Sequence, residues 1–498
     1  MVTADLILPG ILLCCLAVPL LLLRSFGRKP RLNLPPGPLG LPFIGNLHQL
    51  GKNLHRSLLR LANNYGPLMY LKLGSVSTLI ISNADMAEEI HRSHDSVFCS
   101  RPTRTVPKRL FGGHGVVFAS YSEGWRQRRK ISMLELYTTK RVQSFRHIRE
   151  EEVRILVKTI TETSTAGQLS NISDMTLCLF NNIICRQAFG RRVSKDGECR
   201  RSKFHDQLRE YVELSSIFCL SDFFPAMGWL NKLTGLHGRL EKTFSIFDNL
   251  LEEEIENHLK PDNDDNRDFM SILLHLQKDT SLGFSLTQEQ IKSIILEIFL
   301  GGSDTSASAI EFGMLELALN PRVMKKAQEE VRRIVGGKAF VEESDLPRLV
   351  YLKLVVKEIL RYRPPGPISL PHESLKDVKV CGYDIPAKTT VITNVWAIMR
   401  DPKFWTDPEV FWPERFEDSD LHFKGQDFQY IPFSSGRRIC PGINLGVTGV
   451  ELTLANLLHC FDWELPEGME PEDLDTNEAG GVILRLKTPL QLKAKPVF

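Results

Sequence analysis

The chain has 498 residues, 24% of them charged and 42% hydrophobic, and a formal net charge of +2. This near-neutral balance gives no case for nucleic acid, and the composition is that of a globular protein rather than a disordered or fibrous one. The length alone admits about three domains, yet no linker, internal repeat or long low-complexity segment divides the chain, so one large catalytic domain is expected.

Leu6 to Leu23 is an unbroken apolar run of roughly eighteen residues, long enough for a transmembrane helix. Arg24, Arg28, Lys29 and Arg31 follow it, and this positive flank predicts that the C-terminal side stays cytosolic. A cleaved signal peptide competes with that reading, but a basic leading region and a small-residue cleavage site are both missing. Residues 1–30 are therefore expected to be a membrane anchor with its basic flank. Leu34-Pro35-Pro36-Gly37-Pro38 cannot be helical and is stiff. Residues 31–46 read as a Pro-rich hinge that orients a catalytic domain over 47–498. The ten cysteines lack paired spacing, which argues against a disulfide framework and for a reducing compartment. Asn171-Ile172-Ser173 is a glycosylation sequon that a cytosol-facing domain leaves unmodified.

In Trp125-Arg126-Gln127-Arg128-Arg129, Trp125 and Arg129 are spaced to share one helix face. Arg126 and Arg128 are expected on a solvated basic face. From about Thr287 to Leu319 the chain reads as one long helix, opened by a Thr287/Gln290 capping box and stopped by Asn320-Pro321. In its middle lies Gly301-Gly302-Ser303-Asp304-Thr305. Two adjacent glycines cost about 1 kcal/mol each inside a helix, so a bland helix has little reason to hold them. Glu358 and Arg361 stand three residues apart, a spacing that Glu123/Arg126, Glu151/Arg154, Glu329/Arg332 and Glu330/Arg333 share. The apolar flank before Glu358 and Pro364-Pro365 after it predict burial for this pair alone, and buried charges need partners.

Near the end of the chain, Cys440 sits in Phe433-Ser434-Ser435-Gly436-Arg437-Arg438-Ile439-Cys440-Pro441-Gly442. A cysteine binds metal as its thiolate, which nearby positive charge and a bound cation favour. Glycines let the backbone approach a large flat ligand, and amides beyond the cysteine are placed to donate to its sulfur. The decapeptide resembles the haem-binding signature of the cytochrome P-450 superfamily, matching it at Phe433, Gly436, Arg438, Cys440 and Gly442.

The resemblance implies a mainly α fold with small β-sheets, haem b, and Cys440 as the axial thiolate that favours O–O cleavage. It also implies that Asp304 relays protons and Thr305 hydrogen-bonds bound oxygen, since O–O heterolysis needs protons delivered and bulk water excluded. By the same resemblance Trp125, Arg129 and Arg438 contact the haem propionates. His372 falls where many relatives carry a propionate-binding arginine. Arg415, in Trp412-Pro413-Glu414-Arg415-Phe416, completes a structural network with Glu358 and Arg361. No nucleotide-binding glycine motif occurs, so electrons are expected from another protein, which the resemblance implies is a membrane-bound NADPH-cytochrome P-450 reductase at the endoplasmic reticulum.

Several segments look most like the plant microsomal branch that serves specialised metabolism. By correspondence with that family the resemblance implies a pocket drawn from the loop after Pro102, from Phe299 to Gly302, from Pro367 to Leu370 and from Ala479 to Ile483. That mostly apolar set suits a hydrophobic small molecule: a terpenoid first, with an alkaloid or phenylpropanoid close behind. A haem-thiolate isomerase or dehydratase independent of dioxygen is the alternative enzyme, and the intact Asp304-Thr305 pair argues against it. A non-catalytic haem sensor or carrier is the alternative from another class, opposed by the full set of Thr305, Cys440 and propionate partners.

Overall fold

The computed structural model describes residues 32–192, 203–215, 217, 219–260, 268–279 and 284–497. The expected anchor lies outside them, and among the described residues no helix is long and apolar enough to cross a membrane. Ten helices frame the site: α1 (Glu123–Ile131), α2 (Arg146–Thr165), α3 (Ile172–Phe189), α4 (Lys203–Ser215), α5 (Leu236–His258), α6 (Gln288–Gly302), α7 (Asp304–Leu319), α8 (Pro321–Val335), α9 (Val350–Tyr362) and α10 (Ile443–Cys460).

The centre is α7, which is mostly apolar or small, with its three carboxylates Asp304, Glu311 and Glu316 also buried, and is enclosed along nearly its whole length, from Asp304 to Ala318. A helix without a solvent-exposed polar face has to be surrounded, and α3, α8, α9 and α10 pack around it. The amphipathic α8 shows the contrary pattern. Val323, Met324, Ala327, Val331 and Val335 face the core, Pro321 opens the helix at its first turn, and Gly336 closes it. The expected capping box at Thr287 and Gln290 is present and opens α6.

The sheets are small, as expected. The largest has four strands: Leu68–Leu73 pairs antiparallel with Val76–Ile81, which runs parallel to Thr390–Thr393, which is antiparallel to His372–Glu373. The short last strand is pinned at its outer edge by a bridge from Glu373 to Ser100, which carries the neighbouring Arg101 to the site. Strand Gln491–Pro496 pairs with Phe461–Glu464 on one side and Ser170–Asn171 on the other.

The Pro-rich segment is extended and bonded to the domain. Tyr70 donates its amide to the Pro36 carbonyl at 2.9 Å, and Asn46 and Lys72 exchange two bonds of 2.6 and 2.7 Å. In the sequon, Asn171 caps α3 by accepting from the Asp174 amide at 3.1 Å, while its own side-chain NH2 donates to the Asp174 carboxylate at 2.9 Å. The atom that glycosylation modifies is thus engaged.

The helix expected over 287–319 is interrupted at Ser303 and forms α6 and α7. Both halves carry the same apolar pattern, so periodicity alone does not reveal the break. The adjacent glycines and the Asp304-Thr305 pair are its local cause, because short polar side chains compete for backbone bonds.

Candidate functional site

Cys440 follows a one-turn helix, Gly436–Arg438, and precedes α10, whose N-cap is Gly442. Gly436 has φ of 66°, and a Cβ there would stand 2.6 Å from Asp95 Oδ1 and 2.7 Å from the His91 carbonyl. Only glycine meets both demands. The Cys440 amide donates to the Phe433 carbonyl at 3.0 Å, closing the loop. Burial pushes the Cys440 thiol up, while the Gly442 amide bonded to the sulfur and the nearby Arg129 act in the opposite direction. The positive N-terminal end of α10 favours the thiolate as well.

Cys440 lines a cavity of about 320 Å³ whose wall also includes Phe433, Thr305, Gly301 and Gly302. From α10 come Leu445, Gly446 and Val450, and from α9 Val356 and Leu360. Opposite chemistry marks one end, where Arg101, Arg129 and Arg438 all reach the wall. Arg438 donates to the carbonyls of Cys99, Val116 and Ala119 at 2.7–3.1 Å, and its guanidinium lies 3.9 Å from the centre of the Trp125 ring. Arg101 donates to Val117, Leu370 and Pro371 carbonyls at 2.6–3.1 Å. Arg129 donates to the carbonyl of Ile439, the residue before Cys440.

These contacts correct one expectation. Arg126 is exposed and paired with Glu123 at 2.8 Å, as expected, but Arg128 is buried and donates to the Gly115 carbonyl at 3.3 Å. The acceptor is a loop carbonyl thirteen residues upstream, which helix spacing cannot reveal. Trp125 shares a face with Arg129, but its indole N–H is donated to the Val116 carbonyl at 2.8 Å. Its ring also lies against the Arg438 guanidinium. Arg101 carries equal weight, and its sequence context does not mark it as a site residue, because its acceptors are distant backbone carbonyls.

Thr305 faces the cavity, and its hydroxyl donates to the Gly301 carbonyl at 2.6 Å across the helix break. Asp304 points elsewhere. It is buried, absent from the cavity wall and ion-paired with Arg485. Burial raises its pKa, and Arg485 works against that rise. His372 is buried with Nδ1 bonded to the Phe98 carbonyl at 2.8 Å and Nε2 without a hydrogen-bond partner. Burial and the Arg101 charge hold it neutral, well below the usual histidine range.

Behind the site, the expected network is complete. Arg361 donates to Glu358 at 2.7 and 2.8 Å, Arg415 donates to it at 3.1 Å, and the side chains of Glu358 and Arg361 are fully buried. Of the expected pocket segments, residues 300–302, 368–370 and 482–483 reach the wall, as do Val116 to Phe118 in the loop after Pro102. Phe180, Ile183 and Ile184 of α3 add a wall that was not foreseen.

Haem b fits this donor set. Among the described residues none of Arg101, Arg129 and Arg438 is ion-paired with a carboxylate, although burial lowers the pKa of all three. Buried cations without counter-charge are costly, and two propionates supply it. The orphaned His372 Nε2 belongs to the same region, since Arg101 and Arg438 both act on its charge. A thiol is present for the iron.

The cytochrome P450 family model matches residues 35–494. Cytochrome P450 71A1 of Persea americana is 48% identical over 458 residues, which cover 91% of this chain and 91% of that protein. Strychnine-11-hydroxylase of Strychnos nux-vomica is 46% identical, covering 93% of this chain and 91% of its own. Phenylacetaldehyde oxime monooxygenase CYP71AN24 of Prunus mume is 43% identical, covering 97% and 94%. A solved zebra fish cytochrome P450 with abiraterone matches with a TM-score of 0.75 at 25% identity, over 90% of this chain and 99% of that one. With the family model spanning nearly the whole sequence and relatives this similar along it, the chain belongs to the cytochrome P450 family and is a monooxygenase whose haem iron is held by a cysteine thiolate.

Proposed function

We propose that this P450 is a membrane-anchored enzyme that hydroxylates or otherwise oxidises a neutral hydrophobic plant metabolite, a terpenoid first, with electrons from an NADPH-cytochrome P-450 reductase. The observation that carries the reading is the meeting of Cys440 and Thr305 in the wall of one largely apolar cavity. Haem bound there supplies oxygen activation, with RH, O2, two electrons and two protons giving ROH and water.

The chain's own residues do the rest. Cys440 would hold the haem iron through its sulfur, with Phe433 in the wall beside it, and Arg129, Arg438 and Arg101 would hold the propionates. Trp125 orients Arg438. His372 becomes a donor once a propionate gives its protonated form a counter-charge. Thr305 holds a proton at its hydroxyl oxygen facing the cavity, and Asp304 is the buried acid that passes protons inward from the side of Arg485.

Among the described residues, Glu297 is the one acidic side chain that lines the cavity. Its two oxygens already accept three backbone N–H groups. A protonated amine would find no free counter-charge there, which favours a neutral skeleton. The names of two of the relatives above, a strychnine-11-hydroxylase and a phenylacetaldehyde oxime monooxygenase, favour the second reading, an alkaloid or phenylpropanoid substrate, and within it a nitrogen-bearing one.

Anchoring by residues 1–30, with 31–46 as hinge and 47–498 as catalytic domain at the cytosolic face of the endoplasmic reticulum, is supported by an apolar patch. Leu39, Phe43 and Ile44 are exposed, Phe43 by 80%. Hydrogen bonds from Gly74 to Ile44 and from Ser75 to Phe223 join them to a segment that exposes Trp229 and Leu233. The exposed Arg126 and Lys130 of α1 suit an acidic electron donor.

The test reconstitutes the membrane-bound chain with a plant reductase and titrates neutral terpenoids and protonated alkaloids for a substrate-induced spin shift. Turnover then follows under isotopically labelled dioxygen. Label in a terpenoid product supports the reading, whereas spin shifts and label confined to amines would replace it with the second.

A further inference from the structure

The loop from Gly115 to Ala119 forms one wall of the cavity and has an unusual division of its backbone groups. Its amides and its carbonyls face opposite charge. The amides of Val116, Val117 and Phe118 donate to the Glu297 carboxylate at 2.5, 2.9 and 3.1 Å. The carbonyls accept from cations and an indole: Gly115 from Arg128, Val116 from Trp125 and Arg438, Val117 from Arg101, and Ala119 from Arg438. The peptide is held between one buried carboxylate on α6 and the arginines at the haem end of the cavity.

Glu297 has only 5% of its surface exposed and sits in the apolar run Ile294-Ile295-Leu296-Glu297-Ile298-Phe299. A carboxylate buried there requires compensation, and among the described residues it makes no ion pair. Three N–H donors from one short loop supply that compensation, an arrangement that is shorter and stronger than neutral hydrogen bonding. The fit is close on the loop side too. A Cβ at Gly115 would lie 2.2 Å from the Glu297 carboxyl carbon, so residue 115 has no space for a side chain.

Thr305 lies eight positions after Glu297, and Val116, Val117, Phe118, Glu297 and Thr305 all line the same cavity. We propose that Glu297 is a positioning residue that fixes the 115–118 wall against α6 and thereby sets which bulky ligands the cavity accepts beside the haem. The side chain touches neither haem nor substrate in this role and acts through the loop it holds.

The experiment uses the full-length, haem-loaded protein in lipid nanodiscs and compares wild type with Glu297→Gln, with Glu123→Gln as a surface control. Hydrogen exchange at the amides of residues 116–118 is read by mass spectrometry. Azole titrations then compare imidazole, which is small, with clotrimazole, a bulky trityl imidazole that has to pass the loop. Glutamine keeps one acceptor oxygen but turns an NH2 toward donors, so exchange at 116–118 is expected to rise about tenfold or more. The Kd for clotrimazole is expected to change by about tenfold, while that for imidazole stays within about twofold.

Wild-type exchange at these amides, or an unchanged ratio of the two Kd values, in folded and haem-loaded Glu297→Gln overturns the proposal. If that variant does not load haem, Gly115→Ala decides, because it pushes the loop off the carboxylate without removing the charge. It is expected to raise exchange at 116–118 and shift the same Kd ratio, and wild-type behaviour in it overturns the proposal equally. The exchange measurement depends neither on the substrate class nor on the reductase, so it can fail while the proposed activity stands, and the reverse.

Discussion

Removing the Glu358 carboxylate is expected to cost more stability than any other single truncation in the support of the site. Arg361 has five N–H donors and all are engaged, two by Glu358 and three by the carbonyls of Met399, Pro408 and Val410 at 2.9–3.2 Å. Glu358 accepts four bonds in turn, from Arg361 twice, from Arg415 and from the Trp412 amide at 2.9 Å. Glu358→Ala leaves a fully buried guanidinium with two donors unpaired and Arg415 as a second uncompensated cation. Breaking a buried pair from one side costs about 3–5 kcal/mol, a large share of a total that is about 5–15 kcal/mol for most domains. Urea unfolding followed by far-ultraviolet circular dichroism and by the Soret band measures it. The network ties α9 to the 399–415 segment that leads to the Cys440 loop, so the Soret signal is expected to be lost no later than the helical signal. The double variant Glu358→Ala/Arg361→Met removes the orphaned charge and is expected to recover at least about 1 kcal/mol. A loss below about 1 kcal/mol in the single variant, with a normal Soret band, would refute the reasoning.

Thr305→Ala removes the hydroxyl that faces the cavity, and product formed per NADPH is expected to fall about tenfold or more, with hydrogen peroxide released instead. Unchanged coupling in a reconstituted assay takes Thr305 out of the proton path. Gly301→Ala adds a methyl where nothing lies within 4 Å, so helix stability is expected to rise by about 1 kcal/mol. The affinity for bulky azoles is expected to fall at the same time, which thermal unfolding and azole titration read together. His91 is buried, bonded to Thr393 Oγ1 at 2.7 Å, and held at about 4 by burial and by the Arg101 charge. The unfolded chain takes up this proton near pH 6.5 and the folded chain only near 4, so stability is present above 6.5 and is lost as pH falls toward 4. Over that window the loss is roughly 3 kcal/mol. Replacing His91 by Gln is expected to flatten this limb in denaturation curves measured at several pH values, and an unaltered slope contradicts it.

The features that were legible in the sequence are those encoded by neighbours. Five positions around Cys440 lie within ten residues, so the motif is read from neighbours alone, even though the folded loop is also held by distant groups such as the Cys99, Val116 and Ala119 carbonyls on Arg438. The Glu358–Arg361 pair was legible because an apolar flank announces burial, and burial demands a partner, which Arg415 supplies. Features that depend on distant backbone were hidden. Arg101 is held by carbonyls at 117, 370 and 371, and Arg128 by one at 115, and a carbonyl acceptor has no side-chain signature. Glu297 did leave a signal, a lone carboxylate in an apolar helical run, which is the pattern expected of a buried and compensated charge. The break at Ser303 left one too, since two glycines and an Asp-Thr pair inside a helix disturb it, but the matching apolar faces of α6 and α7 masked the interruption.

The account rests on Cys440 as the thiolate that holds haem iron. The carbon monoxide difference spectrum of the dithionite-reduced membrane fraction, taken for the wild type and for Cys440→Ala, tests it most directly. A red-shifted Soret band characteristic of thiolate-ligated haem, present in the wild type and absent from the variant, is the predicted result. A folded, haem-loaded wild type without that band, or a variant that keeps it, would contradict the assignment and the monooxygenase chemistry built on it.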